Sequence, residues 1–216
     1  MYFFYKSLYK QYLYYLYIIM NTNEFIILTR DCIGYKYYNF EYNSPTIGNC
    51  MNIPDFILFL ENIDIIPHIK LQLIDDKYPI GILNIPNTQH SIKVHFIHDF
   101  NKQDILLKWS RRVTRMLHYM SYKKYLLLNA FNDCDLANIY NSLDFYIERF
   151  FNLSFGSKIF FCKYKTFKSI NLPQHILDKG LIIILPDNCT DIINFINNNT
   201  KITNYIFSNK TGTLFI

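Results

Sequence analysis

EFIILT, residues 24–29, decides the fold class. One carboxylate is followed by four consecutive apolar residues, with no alternation of polar and apolar positions. Such a run reads as a buried strand, enclosed on both faces. A loop through Gly34 and Gly48 follows, and Pro54 then opens a helix, PDFILFLENI at 54–63, with proline in its first turn. Strands are expected at 68–74, 80–83 and 92–97, and a helix at 103–120. The LLL at 126–128 begins a second run: helix 135–151, strand 158–164, strand 181–185, helix 190–197 and a final strand at 204–207. Strands alternating with helices imply an α/β fold, a three-layer arrangement with a mixed, largely parallel sheet covered on both faces. No period of about 20–50 residues recurs, and no Pro/Ser/Gly linker divides the chain. The expectation is a single α/β domain over 21–216, with two lobes meeting near residue 122, behind an N-terminal helix.

That helix is drawn from MYFFYKSLYKQYLYYLYIIM, residues 1–20. It is apolar and aromatic, but Lys6 and Lys10 interrupt it, and the uncharged part, 11–20, is too short for a membrane span. No small-residue cleavage site follows. An amphipathic helix lying on the protein body or on a membrane surface is the expectation.

Length and charge bound the rest. A chain of 216 residues fits one domain with a sizeable core. Half of it is apolar, with 19 Tyr and 19 Phe, a mix that an A+T-rich genome produces as readily as functional demand. The net charge is +5 and the 22 basic residues are scattered, so no nucleic-acid footprint emerges. Cys32, Cys50, Cys134, Cys162 and Cys189 are odd in number and never spaced as CxxC, which points to reduced thiols in the cytoplasm and no metal site. The sequence implies no particular cofactor.

GxGxxG after a strand, a Walker loop, a GxSxG elbow and HExxH are all absent. The clearest physical signal is KWSRRVTRM. At about 100° per residue, Ile105, Trp109, Val113, Met116 and Met120 form one apolar stripe, and Lys108, Arg111, Arg112 and Arg115 fall on the other side. Guanidinium forks match phosphate oxygens, so this face suits a phosphate or diphosphate; the plain alternative is a solvated or carboxylate-paired face. His95, His98 and Asp99 end an apolar strand, where α/β folds place their sites. Alternation points the two histidines to opposite faces, against a metal pair. One of them, with Asp99 fixing its tautomer, suits a general base, and a structural histidine is the alternative. Asp133 and Asp135 resemble the Asp-x-Asp with which glycosyltransferases hold a divalent cation, or else they cap a helix. In the loop 41–49, Ser44 precedes proline, while Thr46 and Gly48 offer a hydroxyl and free amides, an anion nest or a plain turn.

In order along the chain, a basic-aromatic helix, FIILTRDCIG, YNSPTIG, PDFILFLENI, Tyr78-Pro79, VHFIHDF and KWSRRVTRM resemble a family of uncharacterised bacterial proteins. Its members carry a domain-of-unknown-function label and are often encoded in capsule, exopolysaccharide and lipooligosaccharide clusters. The resemblance covers roughly residues 5–165 and extends to Cys32, Ser44, Pro45, Thr46, Gly48, Pro79, His98, Trp109, Arg111, Arg112 and Arg115. Arg30-Asp31 and Ile33-Gly34-Tyr35 depart from the family's pattern around the cysteine. What the resemblance implies is surface-glycan assembly. The resulting expectation is a cytoplasmic transferase acting on a phosphate-bearing sugar or acyl donor. Ser44, Thr46, Gly48, Arg111, Arg112 and Arg115 hold the phosphate, and His98 with Asp99 act as the base. The alternatives are a membrane-peripheral glycan-assembly partner docking through residues 1–20, and a metal-dependent glycosyltransferase centred on Asp133 and Asp135.

Overall fold

A computed structural model describes residues 25–30, 46–48, 50–97, 99, 101–120, 124–130, 143–189, 195, 198 and 212–215. In chain order they form β1 (Phe25–Thr29), β2 (Thr46–Gly48), α1 (Ile53–Glu61), a 3-10 turn (Ile66–His68), β3 (Gln72–Ile74), β4 (Ile80–Asn84), β5 (Ser91–His95), α2 (Lys102–Met120), β6 (Lys124–Ala130), α3 (Leu143–Asn152), β7 (Ser157–Lys163), α4 (Tyr164–Phe167), α5 (Gln174–Leu177), β8 (Leu181–Leu185) and β9 (Gly212–Phe215).

The fold is α/β, with two sheets where the alternation of elements implied one mixed sheet. Six strands pair in the order β2-β1-β6-β7-β8-β9, and every pairing is parallel. Ile27 lies opposite both Thr46 and Leu126, and Ile183 opposite both Phe161 and Leu214. Burial on both faces explains the unbroken apolar runs: Ile26, Ile27 and Leu28 are sealed, as are all five residues of β8. A separate antiparallel sheet takes β3-β4-β5, with Gly81 opposite Val94. Its β4–β5 hairpin turns at Pro86-Asn87, where Asn87 takes a φ of 61° and the Thr88 amide donates to the Ile85 carbonyl. One hydrophobic core spans both sheets. Leu83, Ile92 and Val94 of the small sheet join Phe56, Phe59 and Leu60 of α1, Trp109 of α2 and Phe150 of α3, together with Ile26, Leu28 and Ile182 of the large sheet.

Local chemistry sets the element ends. Asn52 caps α1 by accepting the Asp55 amide at 2.7 Å, with Pro54 in the first turn. The strand expected at 68–74 shrinks to β3, because Pro67 fixes a helical φ in the turn before it. Part of the expected loop is β2, and β9, α4 and α5 were not anticipated. The N-terminal helix 1–20 and the strand 204–207 lie outside the described residues, as does all but Phe195 of the helix 190–197. Among the described residues, no helix is long and apolar enough to cross a membrane.

Candidate functional site

Helix α2 begins at Asn101, whose side chain accepts the Gln103 amide at 2.9 Å, and Asp104 meets the positive end of the helix dipole. Four members of the expected stripe are buried or half-buried, Ile105, Trp109 and Met116 in the core and Val113 packed against it; the side chain of Met120 lies outside the described residues. On the other side Lys108, Ser110, Arg111, Arg112, Thr114 and Arg115 line an open concavity of about 550 Å³. Lys108 is neutralised there, its ammonium paired with a mostly sheltered Asp99 carboxylate. Arg111 and Arg115 are exposed, and among the described residues no carboxylate comes within ion-pair distance of either. They sit one turn apart, so their like charges repel. Arg149 in α3 shows the opposite arrangement: its Nε donates to Glu61 Oε1 at 2.9 Å, its Nη2 reaches Oε2, and the guanidinium lies over the Phe145 and Tyr146 rings. Arg149 therefore serves packing, whereas Arg111 and Arg115 present donors to solvent, the arrangement an oxyanion requires.

The remaining sequence candidates fare differently. Asp99 is claimed by Lys108, which ties the turn after β5 to the arginine helix. Thr46 and Gly48 lie in β2, at the edge of the large sheet, paired with Ile27 and Thr29. Ser44, His98, Asp133 and Asp135 lie outside the described residues. Among the described residues, no three of His, Cys, Asp and Glu cluster as metal ligands would.

A second group of polar residues was missed by sequence reasoning. The strand order reverses beside β1, with β2 on one side and β6 on the other, and α/β folds hold ligands outside the carboxyl ends of strands at such a point. Arg30 follows β1 there, only 3% exposed, with Nη1 donating to the Met51 carbonyl at 3.3 Å. The neighbouring Cys50 carbonyl accepts the His95 amide at 2.7 Å, docking the small sheet on this edge. The available signal was a lone cation ending an apolar strand, and the same signal also marks an ordinary strand terminus.

Asp55, in the first turn of α1, is buried beside β5. Burial raises the pKa of its carboxyl group; a hydrogen bond from the Lys93 amide, the Lys93 charge, the Asn52 side chain and the His95 charge oppose that shift. A carboxyl whose folded pKa is raised contributes stability that is fully present below about pH 3.9 and is lost as pH rises through the folded value. Asp55→Asn keeps an acceptor for the Lys93 amide and removes the titration. The variant should therefore gain on the parent protein as pH rises from 4 to 7 in urea unfolding. An equal deficit at both pH values would show that burial of the charge costs nothing here.

The family model described as "Domain of unknown function (DUF1919)" matches residues 6–197. The chain belongs to this family. An uncharacterized protein of Haemophilus influenzae is 27% identical over 101 residues, 44% of this chain and 46% of that protein, so the match spans about half the length of the relative. No solved structure matches the chain. The DUF1919 match takes in α2 whole, together with Arg30, Cys50 and Asp55.

Proposed function

We propose that this DUF1919 protein is a cytoplasmic transferase of surface-polysaccharide assembly, acting on a phosphate-linked sugar or acyl donor. One observation carries the proposal: Arg111, Arg112 and Arg115 line a single concavity with the hydroxyls of Ser110 and Thr114, and no carboxylate among the described residues neutralises Arg111 or Arg115. Guanidinium groups hold phosphate oxygens in pairs, and hydroxyls satisfy those left over. In this reading His98 takes the proton of an acceptor hydroxyl or amine. The Lys108–Asp99 pair then keeps the base-bearing turn beside the donor. Helices on both faces of the parallel sheet complete a three-layer arrangement. The glycan setting follows from the sequence resemblance to proteins of capsule and exopolysaccharide clusters.

The test is a thermal-shift screen of the parent protein, Arg111→Ala and Arg115→Ala against a nucleotide-sugar, acyl-CoA and inorganic pyrophosphate at fixed ionic strength. Saturation at 100 times Kd stabilises a folded protein by about 2.7 kcal/mol. Each arginine variant should lose most of the shift while the free protein keeps its melting temperature, since relief of repulsion offsets any lost contact. A parent protein that no phosphate compound shifts would remove the physical support for the transferase.

A further inference from the structure

We infer that the donor is an amphiphile, a phosphate carrying a long apolar chain, and that α2 holds both its parts. The inference rests on the phosphate site proposed above and narrows its substrate. Three leucines of the same helix keep much of their surface in solvent, Leu106 and Leu117 beside the buried stripe and each 45% exposed, Leu107 on the outer side and 60% exposed. Ile105, Trp109 and Met116 already anchor the helix in the core. At 100° per residue Leu106, Ser110 and Leu117 fall within about 40° of one another, and Arg111 and Arg115 are separated by about 40°.

The outer surface thus runs from an apolar strip through Ser110 and Thr114 to the arginines. Leu107, Arg111 and Arg115 are spaced four residues apart along a single ridge. Beyond the carboxylate of Asp104 in its first turn, this face carries cations, and Leu107 stands directly beside Arg111 on it. That pattern fits a ligand with a charged head and an apolar tail. A nucleotide would have no use for three exposed leucines on this helix, since its base and ribose seek hydrogen-bonding groups and aromatic faces. A chain-bearing phosphate would cover the leucines while its head occupies the 550 Å³ concavity.

The probe is dodecyl phosphate, used below its micelle concentration and compared with inorganic phosphate and UDP-glucose by calorimetric titration. The parent protein should bind dodecyl phosphate at least about tenfold more tightly than inorganic phosphate, since each buried methylene adds to affinity. Leu107→Ser combined with Leu117→Ser should erase that advantage and leave inorganic phosphate binding unchanged, and Arg111→Ala should weaken both ligands. Because the leucines are exposed, the double variant is expected to fold as the parent does, which its melting temperature checks. Three results would overturn the inference. If UDP-glucose binds best and ignores the leucine changes, the donor is a nucleotide-sugar and the proposed function survives without the lipid. If only phosphatidylglycerol vesicles bind, with leucine dependence and no soluble ligand, the strip is a membrane contact. If no phosphate compound binds at all, the proposed function falls too.

Discussion

Trp109→Ala should lower the unfolding free energy by about 3–5 kcal/mol, the usual loss when a buried aromatic is truncated in a packed core. Only 6% of the indole is exposed, and it sits in the cluster that joins Phe56 of α1 and Phe150 of α3 to β1 and β8. Ile105 and Met116 lie one and two turns away on the same stripe and cannot collapse into the space, because each already fills its own part of the core. Against a typical total of about 5–15 kcal/mol, the variant should be near the edge of folding at physiological temperature. Arg111→Ala on the opposite side should change stability by about 0.5 kcal/mol or less, as surface substitutions usually do. Urea unfolding of the two variants separates the roles of the two faces. A loss below about 1.5 kcal/mol for Trp109→Ala would mean that something other than this stripe fixes α2, and the geometry of its arginine face would need another cause.

The same helix shows what was legible in the sequence and why. A 3.6-residue period over nineteen positions is a long signal, and it located both the stripe and the cationic face. The unbroken apolar runs at β1 and β8 were equally plain, because parallel strands are enclosed on both faces. Pro54 marked the start of α1 through backbone chemistry that acts locally. Pairing partners carry no such signal. Nothing in ILN or SIKVH says that β4 and β5 leave the large sheet to form one of their own, since that depends on residues brought together from distant parts of the chain. The three residues of β2 are too few to show a period, and Thr46 and Gly48 suit a turn as well as an edge strand. Arg30 and Asp55 were missed for a related reason: burial of a single charge is a property of the folded neighbourhood, and the sequence shows only a polar residue at an element's end.

Gly180→Ala should cost about 1–3 kcal/mol, although it adds one methyl group and needs no unusual backbone angle. A Cβ at this position would lie 2.6 Å from Phe151 Cε1, 2.9 Å from Cδ1 and 3.0 Å from Cζ, all inside van der Waals contact. The ring is nearly inaccessible, packs beside Phe150 with centroids 5.8 Å apart, and belongs to the common core, so it has little room to yield. The strain would then pass to the backbone leading into β8, which is hydrogen-bonded in register to β7 and β9 on either side. A melting temperature lower by about 2–4 °C per kcal/mol is the expected readout for a chain of this size. The cause is tested by a double-mutant cycle with Phe151→Leu, which removes the ring atoms that meet the new methyl. In that background Gly180→Ala should cost far less, with a coupling energy of about 0.5–3 kcal/mol between the two sites. Equal costs in both backgrounds would mean that Gly180 is required by the chain's approach to β8 and not by the proximity of Phe151, and the close packing of α3 against this corner would lose its energetic significance.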